Sequence, residues 1–215
     1  MTKILASAFL VLTILIVASD PLYAQAQTVS ILIVRHPETV PEGPPTRPLT
    51  TVGQQRADLL THTLRGVKFT HFFASHTTRS HQAIEKIAAA HSLPVMQLPN
   101  PGSLLDGKTV TDDTSRRAPI EPISQALLQL PAGSVALVGL NSENIYAILN
   151  RLGVPEAPAG QSCAPGSMCV PCTSNKCYPG KEFDHLWHVV RQPGRAEPLA
   201  YIELRYGAGW QPPKS

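Results

Sequence analysis

Charge is what this sequence has least of. Asp, Glu, Lys and Arg make up 15% of its 215 residues, against about 25% in ordinary soluble domains. The formal net charge is only +3 at pH 7. No block of Lys or Arg occurs, which removes the electrostatic case for a nucleic-acid partner or an anionic membrane surface. Low complexity is missing too, since 14 Gly and 21 Pro fall short of it, and 43% hydrophobic residues is too many for a disordered chain. There are no internal repeats. Cysteine is confined to four residues between Cys163 and Cys177. Proline is the one residue in excess, at about twice its usual share, so long, stiff loops are expected. The length suits one domain with a substantial core.

The first residues read as an address rather than as structure. Lys3 precedes an apolar stretch from Ile4 to Val17, and small residues follow at Ala24-Gln25-Ala26. A short positive region, an apolar core and a small-x-small site describe a secretory signal peptide, residues 1–26. The stretch is shorter than the roughly 18–20 residues that span a bilayer. The expected product is a single domain, 27–215, secreted or periplasmic, without stable membrane insertion once the leader is cleaved.

Export governs how the cysteines are read. Cys163, Cys169, Cys172 and Cys177 lie in a Cys-rich loop, about residues 160–180, that is also rich in Pro, Gly and Ser. In an oxidising compartment an even cluster reads first as two disulfides, whose connectivity the sequence leaves open. A four-thiolate zinc knot would ordinarily show two paired CxxC knuckles, and only Cys169-Val-Pro-Cys172 is present. A redox-active CxxC is expected at a helix N-terminus, and this one sits among prolines.

Along the rest of the chain, strand and helix patterns alternate. Val29 to Val34 is a short β-branched apolar run suited to a strand buried on both faces. After a Pro/Gly loop, Thr51 with Gln54 forms a capping-box pattern, and Ala57, Leu60 and Leu64 follow at helical spacing up to Gly66. Further strands are expected at 69–75, 93–98, 134–138, 186–191 and 199–206. Helices are expected at 78–91, 123–130 and 144–152, with a long loop over 99–120. This alternation predicts an α/β three-layer sandwich with a mostly parallel central sheet and helices on both faces.

Chemistry-bearing residues sit at the ends of those strands. Arg35-His36 follows the first strand directly, and Ser75-His76-Thr77-Thr78-Arg79 follows the second and opens a helix. In open α/β sheets ligands bind at the carboxyl ends of the strands, beside helix N-termini. Two guanidinium forks converging there match the oxygens of phosphate. A neutral imidazole among them is a candidate nucleophile toward phosphorus. A small phosphorylated molecule or phosphate is the ligand class this favours.

These residues resemble the signature of the histidine phosphatase (phosphoglycerate-mutase-like) superfamily, whose first strand ends in Arg-His-Gly-Glu-Thr. Here the run is Arg35-His36-Pro37-Glu38-Thr39. Pro48-Leu49-Thr50-Thr51-Val52-Gly53 is similar to the block that opens the family's first helix, and Ser75 with Arg79-Ser80-His81-Gln82-Ala83 to the next. Val138-Gly139-Leu140-Asn141 stands where the family reads Val-Gly-His. The endings Glu182-Phe183-Asp184-His185 and Leu204-Arg205-Tyr206-Gly207 look like exported members. The resemblance covers about residues 29–209. It implies that His36 becomes a phosphohistidine and that Arg35 and Arg79 hold the phosphoryl oxygens. It implies an acid for the leaving group, with Asp106 the candidate and Asp112 and Asp113 in the same loop. Asn141 is a further candidate ligand of the phosphate. No metal or cofactor is implied.

Two departures bear on activity. Pro37 removes a backbone N–H after the nucleophile. Leu140 stands where the family has its second active-site histidine, and leucine donates nothing to a phosphoryl group. Losing one such donor costs about 10²–10³ in rate. His76 and His81 are the histidines near enough in sequence to substitute. Two readings therefore stand, a slow or atypical metal-independent phosphomonoesterase and a pseudophosphatase that binds a phosphorylated ligand or partner. His62, His71, His91, His185 and His188 form no ligand-like group, and Trp187 and Trp210 read as packing residues.

Overall fold

The computed structural model describes residues 27–41, 46–105, 107–110, 120–164, 166–173 and 182–207. In chain order the elements are β1 (Val29–Arg35), α1 (Thr51–Leu64), β2 (His71–Ser75), α2 (Thr78–Gln82), α3 (Glu85–Ala90), β3 (Val95–Leu98), β4 (Leu104–Leu105), β5 (Lys108–Thr109), α4 (Ile120–Leu128), β6 (Val135–Leu140), α5 (Ser142–Arg151), β7 (His185–Arg191) and β8 (Ala200–Arg205). The proposed leader, Asp106, Asp112, Asp113, Cys177 and Trp210 lie outside the described residues. Among the described residues no helix is long and apolar enough to cross a membrane.

Every residue of β1 except Ser30 is buried, which a strand with neighbours on both sides and helices on both faces requires. It lies inside a six-stranded sheet of order β3-β2-β6-β1-β7-β8. β3, β2, β6 and β1 run parallel. β7 is antiparallel to β1 and to β8. Arg35 stands opposite Leu140, and Ala74 opposite Gly139, so the carboxyl ends of β1, β2 and β6 share one edge.

Alternation along the strands sorts the core into two layers. Ile31, Ile33, Val138, Leu140 and Trp187 share one cluster with Ile123 and Leu127 of α4 and Ile145 and Leu149 of α5. Leu32, Val34, Phe72 and Leu137 share the other with Leu60 and Leu64 of α1 and Ile84 and Ile87 beside α3. The α/β three-layer sandwich with a mostly parallel sheet is the architecture observed. Each fully buried aliphatic side chain contributes about 1.5–3 kcal/mol relative to exposure.

Three local expectations are corrected. The N-cap of α1 is Thr50, not Thr51, with the N–H of Gly53 donating to Thr50 Oγ1 at 3.1 Å. Thr50 is also held at its N–H by the Glu38 carbonyl at 2.9 Å, which selects it over its neighbour. The helix expected over 78–91 is two pieces, because Ile84 takes a non-helical φ of −128°. There its fully buried side chain places Cγ2 over Gly139. The loop after β3 carries the short β4–β5 antiparallel pair, closed where Gly107 adopts φ +74°.

Candidate active site

Two glycines explain how the signature blocks come together. A Cβ on Gly53 would collide with the carbonyl oxygen of Glu38, so only glycine lets the start of α1 pack beneath the segment after His36. A Cβ on Gly139 would collide with the carbonyl of Ser80, so glycine there lets α2 lie against the end of β6. Gln82 adds a side-chain link, its Oε1 accepting from the Leu49 N–H at 2.9 Å. Glu38 is held by Arg56, whose Nε and Nη2 donate to its carboxylate at 2.6–3.0 Å.

His36 is 6% exposed and anchored on both sides of the ring. Its backbone N–H donates to the Leu140 carbonyl at 2.9 Å, continuing the β1–β6 ladder one residue past the strand. Nδ1 lies 2.8 Å from the Pro37 carbonyl oxygen. A carbonyl only accepts, so Nδ1 carries the hydrogen. Nε2 is left with its lone pair, toward which Arg79 Nε–H donates at 3.2 Å. Burial above all holds the His36 pKa down to about 3; the hydrogen bond to the Pro37 carbonyl opposes it, and the fields of Arg79, Arg35 and Arg47 add to the lowering. The imidazole is neutral at any ordinary pH. Proline at position 37 gives up an N–H but keeps the carbonyl that sets the tautomer.

The arginines come from three places. Arg79 is 2% exposed, in the first turn of α2. Arg35 ends β1, donates from Nη1 to the Glu182 carbonyl at 3.0 Å, and lies with Cζ 4.2 Å over the Phe183 ring. Arg47, from the Pro-rich loop before α1, adds its charge at His36. Sequence reasoning missed Arg47. A basic residue between Thr46 and Pro48 has no strand end to mark it, and only folding brings its charge near His36.

The second strand-end motif builds a hydroxyl network beneath the site. Thr77 and Ser80 donate from their hydroxyls to Asn141 Oδ1 at 3.0 and 2.7 Å, and Ser75 approaches it at 3.4 Å. Asn141 is fully buried, and its oxygen is committed to these hydroxyls rather than to the α5 cap. Leu140 is fully buried in the apolar cluster that holds Tyr146 and Trp187. In the first turn of α5, Asn144 is 1% exposed, yet neither amide atom has a hydrogen-bond partner among the described residues. Sequence reasoning missed Asn144 as well, since a polar residue in an amphipathic first turn gives no signal.

The remaining candidates resolve as follows. His81 pairs with Glu85 at 3.0 Å, partly exposed, and is engaged there. His76 is 2% exposed. Trp187 is fully buried core. His91 sits between the carbonyls of Ile87 and Val67, both at 2.9 Å. His185 is buried between the carboxylates of Glu182 and Glu203. Cys163 and Cys169 form a disulfide, and Cys172 is disulfide-bonded. The pairing of Cys163 with Cys169 agrees with the disulfide reading of the cluster. Among the described residues no group of three His, Cys, Asp or Glu side chains is placed to hold a metal ion.

A family model described as the histidine phosphatase superfamily (branch 1) matches residues 31–100, which include Arg35, His36 and Arg79. No curated protein sequence matches the chain. Among solved structures, the protein histidine phosphatase SixA complexed with tungstate is 16% identical with a TM-score of 0.54, over 82% of this chain and 97% of that one. A SixA structure from Nakamurella multipartitia is 14% identical with a TM-score of 0.50, over 83% of this chain and 97% of that one. At such identity the structures speak for the fold alone. Over residues 31–100, which carry the strand-end Arg-His and a buried arginine, the chain is thus similar to the histidine phosphatase superfamily, and its sandwich is a fold shared with those solved structures.

Proposed function

We propose that the protein is a metal-independent phosphomonoester hydrolase acting through a phosphohistidine on His36. The observation that carries this reading is the state of the imidazole: Nδ1 fixed on the Pro37 carbonyl and the Nε2 lone pair facing Arg79. A nitrogen nucleophile needs that lone pair; burial above all, with the three neighbouring guanidiniums, keeps it unprotonated, and the guanidiniums attract a dianion. The tungstate bound by the SixA structure is an oxyanion of phosphate-like shape, which agrees with a small phosphorylated ligand here.

A phosphoryl oxygen entering the site replaces Nε2 as the acceptor of Arg79. Nε2 then forms the N–P bond as the bond from phosphorus to the leaving oxygen breaks, and that oxygen takes a proton from an acid, for which Asp106 is the candidate from sequence. Water next attacks phosphorus and gives a proton back to the same, now ionised, acid; the N–P bond breaks, and inorganic phosphate leaves with the imidazole neutral again. Arg35, Arg47 and Arg79 offset the charge that builds on the equatorial oxygens. Asn141 supports the floor through Thr77 and Ser80 rather than offering its oxygen to the ligand.

The leader-like residues 1–26 and the Cys163–Cys169 disulfide together favour an exported enzyme. The burial of Leu140 at the position of the family's second histidine favours the alternative, a pseudophosphatase that binds a phosphorylated ligand without turnover. Incubation with a small aryl phosphate followed by rapid denaturation separates the two. The hydrolase leaves an acid-labile, alkali-stable phosphoryl group that His36→Ala lacks. Phosphate binding with no trapped phosphoryl group would establish the binder.

A further inference from the structure

Beside the arginine site lies a charged cluster that the chemistry above does not use. His185 opens β7 and is 4% exposed. Its Nε2 contacts Glu182 Oε2 and its Nδ1 contacts Glu203 Oε1. Its ring stacks on Trp187, with centroids 5.2 Å apart and planes within 12°. Arg205 of β8 bridges Glu182 and Asp184, the latter at 2.8 Å.

A carboxylate only accepts hydrogen bonds, and neutral imidazole has one N–H. A ring with carboxylates at both nitrogens is satisfied only as imidazolium. The same residues that hold His185 also hold the site. The Glu182 carbonyl accepts from Arg35 Nη1 at 3.0 Å, and the Phe183 ring is the surface on which the Arg35 guanidinium lies. The Phe183 carbonyl is tied in turn by Tyr206 Oη at 2.9 Å.

We propose that His185, as an imidazolium clamp between Glu182 and Glu203, is a positioning residue that fixes the Glu182–Phe183 seat of Arg35 and so makes anion binding at the site depend on pH. This rests on the reading of Arg35 as an anion ligand. The groups that face His185 are Glu182 and Asp184 from the preceding segment, Glu203 and Arg205 from β8, and Tyr146 from α5 by way of Trp187. Burial lowers the His185 pKa, but the bonds to Glu203 and Glu182 outweigh it and hold the value above the ordinary 6.5, with Arg205 opposing. On deprotonation one carboxylate loses its donor, the cluster gains a negative charge, and the Glu182–Phe183 turn loosens from Arg35.

Sulfate is the probe, because it stays a dianion across the range and His36 titrates near 3, well below it. Titration calorimetry from pH 5 to pH 9 at constant ionic strength should give constant affinity below about 6.5 and a loss of roughly tenfold once His185 is neutral. His185→Gln should bind weakly throughout, with the step gone. Glu203→Gln, at a half-exposed side chain that tolerates change, should move the midpoint to lower pH, which a purely structural role would not do. A wild-type profile without the step, a step that survives His185→Gln, or an unmoved midpoint in Glu203→Gln would each overturn the proposal. Absence of sulfate binding would remove the anion site and this inference together. A pH step in sulfate binding, with no phosphoryl group trapped on His36, would leave the clamp standing and remove only the hydrolase.

Discussion

The Nε–H of Arg79 meets the lone pair of His36 Nε2 across 3.2 Å, in a site where both residues are almost wholly buried. One contact thereby performs two tasks. Together with burial it keeps Nε2 unprotonated, and in the proposed mechanism it holds a guanidinium where the phosphoryl group would arrive. The planar fork matters for the second task, because a lysine ammonium offers a point charge without bidentate geometry. Arg79→Lys should therefore lower turnover of a small aryl phosphate by about 10²–10³. It should leave far-UV circular dichroism unchanged. A variant of near wild-type rate would show that Arg79 serves only the fold.

The depressed His36 pKa has a consequence for the pH–rate profile. The free enzyme's acidic limb in kcat/KM reports the protonation of its essential base. With the imidazole pKa held down to about 3 by burial and the arginines, kcat/KM should show no loss from His36 between about pH 8 and about pH 4. An inflection near 6.5 in the wild-type profile, matched by an NMR titration of the His36 imidazole, would place the ring in a wetter, less cationic setting than the one described.

Stability should respond to the same two histidines in opposite directions. His36 is neutral in the fold below its ordinary 6.5, whereas the unfolded chain takes up a proton there. Stability therefore falls as pH drops from about 6.5 toward about 3, with a limiting slope of about 1.4 kcal/mol per pH unit. His185 has its pKa raised, so its contribution is complete below 6.5 and is lost as pH rises through the folded value. Chemical unfolding across pH 4–9 should give a maximum near 6.5. His36→Asn should flatten the acid side alone, and His185→Gln the alkaline side alone.

How far the sequence foretold all this can be judged residue by residue. The strand ends carrying Arg35, His36 and Arg79 were legible because a buried strand has a strong apolar pattern, and the polar residues that interrupt it stand out. Val29 to Val34, followed by Arg35-His36, and Phe69 to Ser75, followed by His76 to Arg79, both had that form. Arg47 was not legible, because it follows a Pro-rich stretch rather than a strand end, and its charge acts at His36 only in the folded chain. Neither was the break at Ile84, where helical spacing continues but packing over Gly139 overrides it. His185 looked inert for a related reason. Its partners Glu182 and Glu203 are brought together by β7–β8 pairing, and only one of them is close in sequence.

Leu140 offers a direct test of the departure from the family pattern. It follows Gly139 at the carboxyl end of β6, opposite Arg35, and its carbonyl holds the His36 N–H. Its backbone thus already serves the site, while its side chain contributes only to the apolar cluster. Leu140→His should restore a donor beside the phosphoryl group and raise kcat by about 10²–10³. It should cost about 1–3 kcal/mol of stability, since an imidazole enters an apolar layer. A stable variant with unchanged kcat would place the rate limit elsewhere, with Pro37 next to examine.

Asn144 permits the last prediction, which concerns stability set against function. Its side chain is 1% exposed, and its amide finds no partner among the described residues. A buried donor left unmade costs about 1–3 kcal/mol, whereas an apolar group of the same shape carries no such penalty. Leucine has nearly the shape of asparagine, and the neighbouring Ile145, Ile148 and Leu149 are fully buried aliphatics. Asn144→Leu should therefore stabilise the fold by about 1–3 kcal/mol. At this chain length each kcal/mol corresponds to about 2–4 °C in Tm. Natural chains keep such a defect where a buried polar group serves something other than stability. Melting curves with and without inorganic phosphate decide what Asn144 serves. If the amide only burdens the core, Asn144→Leu raises Tm and the phosphate-induced shift is preserved. If the amide turns to a bound ligand, the apo protein gains Tm while the phosphate-induced shift shrinks, because the donor that reached the ligand is gone.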